Sequence, residues 1–581
     1  MSTFEIKDTF YLDGNPFQII SGSIHYFRIV PEYWRDRLEK LKALGMNTVE
    51  TYIPWNMHEP RKGEFDFTGR LDLARFVAIA EELGLYVILR PSPYICAEWE
   101  FGGLPGWLLQ EDGMRLRAND ERFLSHIRDY YKVLLPMLKP MQITHGGNVI
   151  LMQVENEYGY FGNDTAYMEA MRDILLENGI DVPLITSDGP TDEIIMGGSV
   201  EGALPTGNFG SKTKERFQIL QKHTKGGPLM CAEFWVGWFD HWGNGGHMKG
   251  NLEESVQDLD DMLELGHVNV YMFIGGTNFG FMNGSNYYDE LTPDVTSYDY
   301  DAVLTEAGDF TEKYRRYQEV IRKHAPVPEV SFTTNIQKKS YGTLQVQEQV
   351  GLFAVLDDIS KPVESLYPQS MERLGQNYGY ILYASKIKNE RTLNNIKLWK
   401  ANDRANLFVE DDRLLNLYDH DLEKSWELSK EVEEGDTLRI LVENMGRVNF
   451  GPRMEDQRKG IDGCVQINGH MHHYWTQYTL PLDNLEQLDF SKEYKEGLPS
   501  FHKFKFNVEE AGDTFVELEG WGKGCVFING FNLGRFWEIG PQKRLYLPAP
   551  LLKQGENEII VFETEGKVTD TITLCDEPDI G

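Results

Sequence analysis

The chain has 581 residues, 41% hydrophobic and 25% charged, a globular composition that excludes long disorder and suffices for two or more domains. Asp and Glu total 91 against 57 Lys and Arg, and the resulting net charge of −34 repels phosphate backbones and excludes nucleic acid as a partner. No apolar run reaches the roughly 20 residues of a membrane-spanning helix, so no membrane partner is expected.

In chain order, the first 325 residues alternate strand-like and helix-like segments. Apolar, β-rich runs occupy 17–27, 47–55, 86–94, 149–159, 183–189, 203–210, 228–238 and 269–280. Between them lie helical patterns at 31–45, 71–84, 121–139, 164–179, 212–223 and 251–266, with another at 309–324. The first opens on Pro31 and stops at Gly45. After the fifth run the helix is expected to be short or replaced by a loop. Eight strands alternating with helices over some 300 residues predict a (β/α)8 TIM barrel. A doubly wound sheet would announce itself by a glycine-rich phosphate turn. The first run ends Ser21-Gly22-Ser23-Ile24-His25-Tyr26 instead.

Beyond Pro326-Val327-Pro328 the pattern changes to strand-length runs split by Gly, Asp and Asn turns, an all-β region. Leu407-Phe408-Val409 aligns with Val526-Phe527-Ile528, and a second alignment follows at nearly the same offset. Two related β-sandwiches of jelly-roll type are therefore expected after the barrel. The expected division is a barrel at 1–325, a β region at 326–398 that pairs with the C-terminal sandwich, a first sandwich at 399–480 and a second at 481–581. The repeat spacing also permits one β domain to be inserted within the other.

Five scattered cysteines, Cys96, Cys231, Cys464, Cys525 and Cys575, contain no CxxC pair. The opening Met-Ser-Thr-Phe-Glu-Ile-Lys-Asp has neither the basic nor the apolar segment of a secretory leader. Together they predict free thiols and a cytoplasmic location. The His470-Met471-His472-His473 cluster lacks partner ligands at metal spacing and reads as an exposed polar turn.

A barrel of this type builds its site at the C-terminal strand ends. Those ends carry carboxylates among aromatics: Glu98 and Glu100 after the third run, Glu155 and Glu157 after the fourth, Glu233 in the seventh. No Lys closes these strands, against a Schiff-base aldolase, and no His-x-His closes the first, against a metal-dependent amidohydrolase. Neither a metal nor another cofactor is expected. Two Glu residues facing across the mouth suit glycoside hydrolysis, one as proton donor and one as nucleophile. Alternation does not choose between Glu155 and Glu157, because i and i+2 point the same way. An aromatic content of 12% supplies flat apolar faces for sugar rings.

Five blocks carry a resemblance: TYIPWNMHE ending at Glu59, YICAEWEFGGLPGW from Tyr94, QVENEYG from Gln153, EFWVGWFDHWG from Glu233 and TSYDYDAVLTEAG from Thr296. In this order they resemble glycoside hydrolase family 35, the β-galactosidases, and LVENMGRVNFG from Leu441 resembles the β domains of that family. The resemblance spans nearly the full chain and is to the compact bacterial members, some of which prefer β-1,3-linked galactose. It implies a retaining exo-β-galactosidase with Glu157 as general acid/base and Glu233 as nucleophile. It further places Tyr52, Ala97, Glu98, Asn156 and Tyr300 on galactose, with Asn156 on the 2-hydroxyl and Tyr300 orienting the nucleophile. Cys96 borders these positions as a small close-packed residue, and Trp235 and Trp238, with Trp242 nearby, are candidates to stack beyond the scissile bond. Phe450 stands where the family often has Tyr. The expected partner is a galactose-terminated oligosaccharide, and the β-rich half is expected to cover the barrel mouth, to carry a homodimer contact, or both. The competing readings are a β-glucosaminidase or β-glucosidase using the same pair, and a catalytically silent carbohydrate-binding protein.

Overall fold

Each apolar run ends in a strand whose side chains are buried on both faces, which is the demand a parallel barrel covered by helices makes of its sequence. In the computed structural model, which describes residues 2–581, eight strands close into one barrel. They are β1 (Ile20–Ile24), β2 (Thr48–Tyr52), β3 (Tyr86–Arg90), β4 (Val149–Gln153), β5 (Leu184–Asp188), β6 (Ala203–Phe209), β7 (Met230–Trp235) and β8 (His267–Ile274). All neighbours are parallel, and β8 closes on β1. Gly22 in β1 lets the inner packing close: a Cβ there would sit 2.9 Å from both Met46 Sδ and Phe273 Cβ.

The helices begin where short polar side chains accept orphan backbone N–H groups. Asp72, Asp120, Asp164, Thr191, Asn251 and Thr311 each do so. The helix after β5 is the short Asp192–Gly198. A hairpin of Phe4–Ile6 and Phe10–Leu12 covers the N-terminal end of the barrel, with the Phe10 ring 4.6 Å from that of His267 at the start of β8. The opposite mouth is left for function.

Strand pairing ends the first sandwich at Leu480 but divides the region 326–398 between the two sandwiches. Gly342–Gln345 pairs with Thr571–Cys575, and Glu348–Gly351 pairs with Ser500–Val508, so these two strands belong to the C-terminal sandwich. Val363–Ser365, Tyr380–Lys386 and Arg391–Leu398 instead hydrogen-bond within the sheets that end near Leu480. The first sandwich is thus inserted between strands of the second. The reason is that strand membership follows hydrogen-bond partners rather than order along the chain. The repeated segments fall in corresponding strands: Arg404–Val409 pairs with Thr437–Glu443, and Lys523–Ile528 pairs with Gly555–Glu563. Ile381, Leu407 and Ile440 of one sheet meet Leu393, Ile396 and Val465 of the other in the core of the first sandwich. The outer face of its six-stranded sheet, through Leu382, Phe408 and Leu441, packs on Phe501, Phe527 and Phe562 of the second sandwich.

Buried ion pairs fasten these units to the barrel. Arg447, in the first sandwich, donates to Glu100 at 2.6 Å and to Glu372 at 2.5 Å, with all three side chains buried. Glu443 accepts from Lys523 and from Arg535, whose Nε reaches Asn283 in the loop after β8. Val448–Phe450 then pairs with Ser285–Tyr287 from the same loop, which brings the first sandwich onto the barrel mouth.

Replacing Arg447 by Met would strand two carboxylates without a cation. The expected cost is about 3–5 kcal/mol, read as a lowered urea midpoint at unchanged slope. A loss below about 1 kcal/mol would mean that this cluster does not hold the seam.

Candidate active site

The C-terminal strand ends converge on a cavity of about 320 Å³. Its walls include Cys96, Ala97, Glu98, Asn156, Glu157, Glu233, Trp235, Trp238, Tyr271 and Tyr300. Tyr52 lies one layer deeper.

Glu233 sits on β7 just where that strand gains a residue relative to β6: Cys231 pairs with Gly207, yet Glu233 pairs with Asn208. Such a bulge re-aims the side chain. Its Oε1 accepts from Arg90 Nη2 at 2.6 Å and lies 2.5 Å from the Tyr52 hydroxyl, while Oε2 accepts from Trp235 Nε1 at 3.0 Å. Three polar groups, one of them a guanidinium, thus hold this carboxyl group.

Glu157 has a different environment. A single side-chain donor, Asn208 Nδ2 at 2.9 Å, reaches its Oε1. Burial first, and the Glu233 charge second, push its pKa up to about 8, so the carboxyl holds its proton at neutral pH. Two carboxyl groups in one cleft thereby meet unequal surroundings, and Glu157 is the one held as an acid.

The structure separates Glu155 from Glu157. The strand ends at Gln153, and both Glu155 (φ 51°) and Glu157 (φ 47°) take left-handed backbone, so strand alternation no longer applies. Glu155 turns away into a two-pronged pair with Arg117 at 2.8 Å on each oxygen, and also accepts from the Tyr167 hydroxyl. It is structural, whereas Glu157 faces the cavity.

The opposite wall is built by three consecutive left-handed residues, Cys96, Ala97 and Glu98. Arg28 Nη2 donates to the Ala97 carbonyl at 2.5 Å, and the Tyr298 hydroxyl donates to Glu98 Oε2. Burial raises the Glu98 pKa to about 7 against the opposing pull of Tyr298 and Arg28. Asn449, from the first sandwich, donates to Cys96 Sγ at 3.4 Å. Cys96 is thus a buried packing residue with a raised thiol pKa, driven by burial.

Asn156 Oδ1 accepts from Arg90 at 2.8 Å and from Gln153 at 3.0 Å, with the Tyr52 hydroxyl also at 2.8 Å. Its amide nitrogen makes only a 3.4 Å contact with the Ile95 carbonyl and is free to donate into the cavity. Tyr300, expected to orient Glu233, makes no hydrogen bond to it among the described residues. Its ring stands 5.4 Å from those of Tyr271 and Tyr298, and the orienting groups are Tyr52, Arg90 and Trp235.

Trp238, 40% exposed, meets Trp235 edge-on at 5.5 Å, so the two indoles form one lip of the opening. Trp242 is buried behind that lip, its amide bonded to the Pro293 carbonyl. Phe450 closes the other lip with Tyr160 and Tyr288, at 5.9 and 6.4 Å between rings. His470–His472 forms a strand at the edge of its sheet, far along the first sandwich.

Sequence reasoning missed Arg90, Asn208 and Tyr298. Arg90 carried a signal: a lone charge closing the apolar strand Tyr-Val-Ile-Leu-Arg. The other two are ordinary residue types whose placement depends on neighbouring strands.

Three family models match the chain: glycosyl hydrolases family 35 over residues 9–324, the first all-beta domain of beta-galactosidase over 368–481, and the beta-galactosidase galactose-binding domain over 499–557. Human beta-galactosidase-1-like protein 3 is 42% identical over 99% of this chain and 89% of its own length. Human beta-galactosidase-1-like protein 2 is 42% identical over 98% of this chain and 91% of its own length. Beta-galactosidase 1 of Dictyostelium discoideum is 37% identical over 95% of this chain and 89% of its own length. With a family model over more than half of its residues and relatives this similar along nearly all of its length, the chain belongs to glycoside hydrolase family 35 and is a glycoside hydrolase of the β-galactosidase type.

Proposed function

We propose that this enzyme is a retaining exo-β-galactosidase that releases terminal β-galactose from short oligosaccharides. The observation that carries this reading is the unequal treatment of two buried carboxyl groups, Glu233 bonded by Arg90 and Trp235 beside the Tyr52 hydroxyl, and Glu157 kept protonated. In the first step Glu157 gives its proton to the departing glycosidic oxygen while Glu233 attacks the anomeric carbon, forming a galactosyl ester and freeing the aglycone. In the second step the Glu157 carboxylate takes a proton from water, which displaces Glu233 and restores both groups. Asn156 donates to the 2-hydroxyl, and Glu98 with the Ala97 backbone and Tyr300 receives the far edge of the sugar.

Confinement of the cavity to about 320 Å³ supports removal of one sugar at a time from a chain end. The Trp238 and Phe450 lips receive the leaving sugar. A preference for β-1,3 linkages rests on the likeness to compact members of the family. Five unpaired cysteines support a reducing compartment, the cytoplasm.

Glu233→Gln is expected to lower kcat by at least about 10³-fold with an unchanged melting temperature; near-normal turnover would sink the nucleophile assignment. Glu157→Ala should lose about 10²–10⁴-fold on natural disaccharides yet far less on an activated aryl galactoside, whose leaving group needs little protonation. Equal loss on both substrates would remove Glu157 from the acid role. Because the acid must be protonated, kcat/KM should fall as pH rises through about 8, and a limb near the ordinary carboxylate range of about 4 would contradict it. Proton NMR of early product should show β-galactose, released faster from Galβ1,3-GlcNAc than from Galβ1,4-GlcNAc. Early α-galactose would overturn retention, and equal rates would overturn the linkage preference.

A further inference from the structure

A second cavity, of about 480 Å³, lies where the barrel meets both sandwiches. The loop from Tyr94 to Trp107 separates it from the active site, giving Glu98 to one cavity and Glu100 to the other. No proposed catalytic group lines it. Its walls come from Arg70 and Phe279 of the barrel, Asn377 and Tyr378 of the first sandwich, and Phe531 and Asn532 of the second.

Arg70 is the unusual feature. Its guanidinium lies 5.3 Å from the Phe279 ring centre and 4.9 Å from that of Phe531. Arg70 is half-buried, its side chain makes no hydrogen bond or ion pair among the described residues, and Nη1 is enclosed without a partner. By contrast, the buried Arg90 pairs with Glu233, Arg117 with Glu155 and Arg447 with Glu100 and Glu372. Burial alone draws the Arg70 pKa down to about 10, with no neighbouring carboxylate raising it, so at neutral pH it remains a cation without an anion. In a chain with 91 acidic residues, a missing counter-ion is not a matter of supply. A half-buried cation with no counter-ion on a cavity wall is a ready partner for an anionic group.

The surroundings indicate what binds. Asn532 Oδ1 is committed to the Gly534 amide at 2.9 Å, leaving its NH2 group to donate. Asp483 accepts from the Tyr378 hydroxyl at 2.9 Å and keeps acceptor capacity for a hydroxyl group. Asp66 and Glu100 also line the cavity, Glu100 being held by Arg447; the unpaired Arg70 cation, the Asn532 amide, the Asp483 acceptor and aromatic faces in a space larger than the active-site cavity match a pyranose that carries an acid group. We propose that this junction is a second, non-catalytic site for a carboxylate-bearing sugar, with its carboxylate on Arg70 and its hydroxyls on Asn532 and Asp483. It would hold an acidic branch or neighbouring chain of a glycan while the neutral galactose end occupies the active site, and it does not depend on the catalytic roles assigned above.

Calorimetric titration of the full chain, with galactose in excess to fill the active site, tests it using glucuronate, glucose and inorganic sulfate as ligands. Saturable glucuronate binding is expected, with no heat from glucose or sulfate. Arg70→Met, which keeps the apolar stem between the two rings, should weaken glucuronate binding about tenfold or more and leave kcat/KM on an aryl galactoside unchanged. Asn532→Asp preserves the acceptor for Gly534 and sets a negative charge against the ligand, so it should weaken binding even if the Arg70 variant fails to fold. Absent binding, unchanged affinity in Asn532→Asp or in a folded Arg70→Met, or loss of binding when galactose is raised would overturn the proposal. Sulfate binding as tight as glucuronate would reduce the site to a simple anion pocket and overturn the sugar assignment.

Discussion

Arg90 is the charge around which the barrel mouth is organised. A carboxylate cannot be buried among aromatics without a cation or several donors. Arg90 supplies that cation to Glu233 at 2.6 Å, fixes Asn156 and Gln153 with the same guanidinium, and stands 3.6 Å from Glu50. Its neighbours come from β2, β4 and β7 and it closes β3, so the cluster exists only when these strands are in register. The inequality between Glu157 and Glu233 follows from this placement, because the Arg90 side chain that bonds Glu233 makes no bond to Glu157.

The rest of the mouth is finished from outside the barrel. Tyr94 donates to the Asn449 carbonyl at 2.5 Å, Asn449 in turn donates to Cys96, and Phe450 forms a lip of the opening. Three consecutive left-handed residues at 96–98 carry a conformational cost for side-chain-bearing residues and persist only where contacts over-determine them. Arg28 and Asn449 provide such contacts, so the sandwich helps set the shape of the sugar-facing wall.

How much of this was legible in the sequence depended on whether a feature is local. The barrel strands announced themselves as apolar runs, and the first helix was bracketed by Pro31 and Gly45. Glu98, Glu157 and Glu233 were visible as acids among aromatics at strand ends. Alternation could not separate Glu155 from Glu157, because both sit beyond the strand in left-handed backbone that no periodicity describes. Glu155 revealed its structural role only when Arg117, 38 residues away, folded against it. The orienting role expected of Tyr300 passed to Arg90 for a similar reason: nearness across the barrel is set by strand register, not by motif. The β region at 326–398 was expected to pair with the C-terminal sandwich; its strands at 342–351 do, while those from 363 join the first sandwich, because pairing partners and not chain order set sheet membership.

Insertion of one sandwich within the other also orders events during synthesis. Gly342–Gln345 has its partner strand at Thr571–Cys575, some 230 residues later, whereas the strands of the first sandwich, apart from Val448–Phe450 on the barrel loop, find their neighbours between 363 and 480. A ribosome therefore releases a barrel and an inserted sandwich that can each close early, while the edge at 342–351 waits unpaired for the final strands. That edge must be kept from pairing with other chains for the time it takes to make the roughly 150 to 230 residues that separate it from its partners. Its short length and the exposed Glu348 beside it are the means the sequence provides.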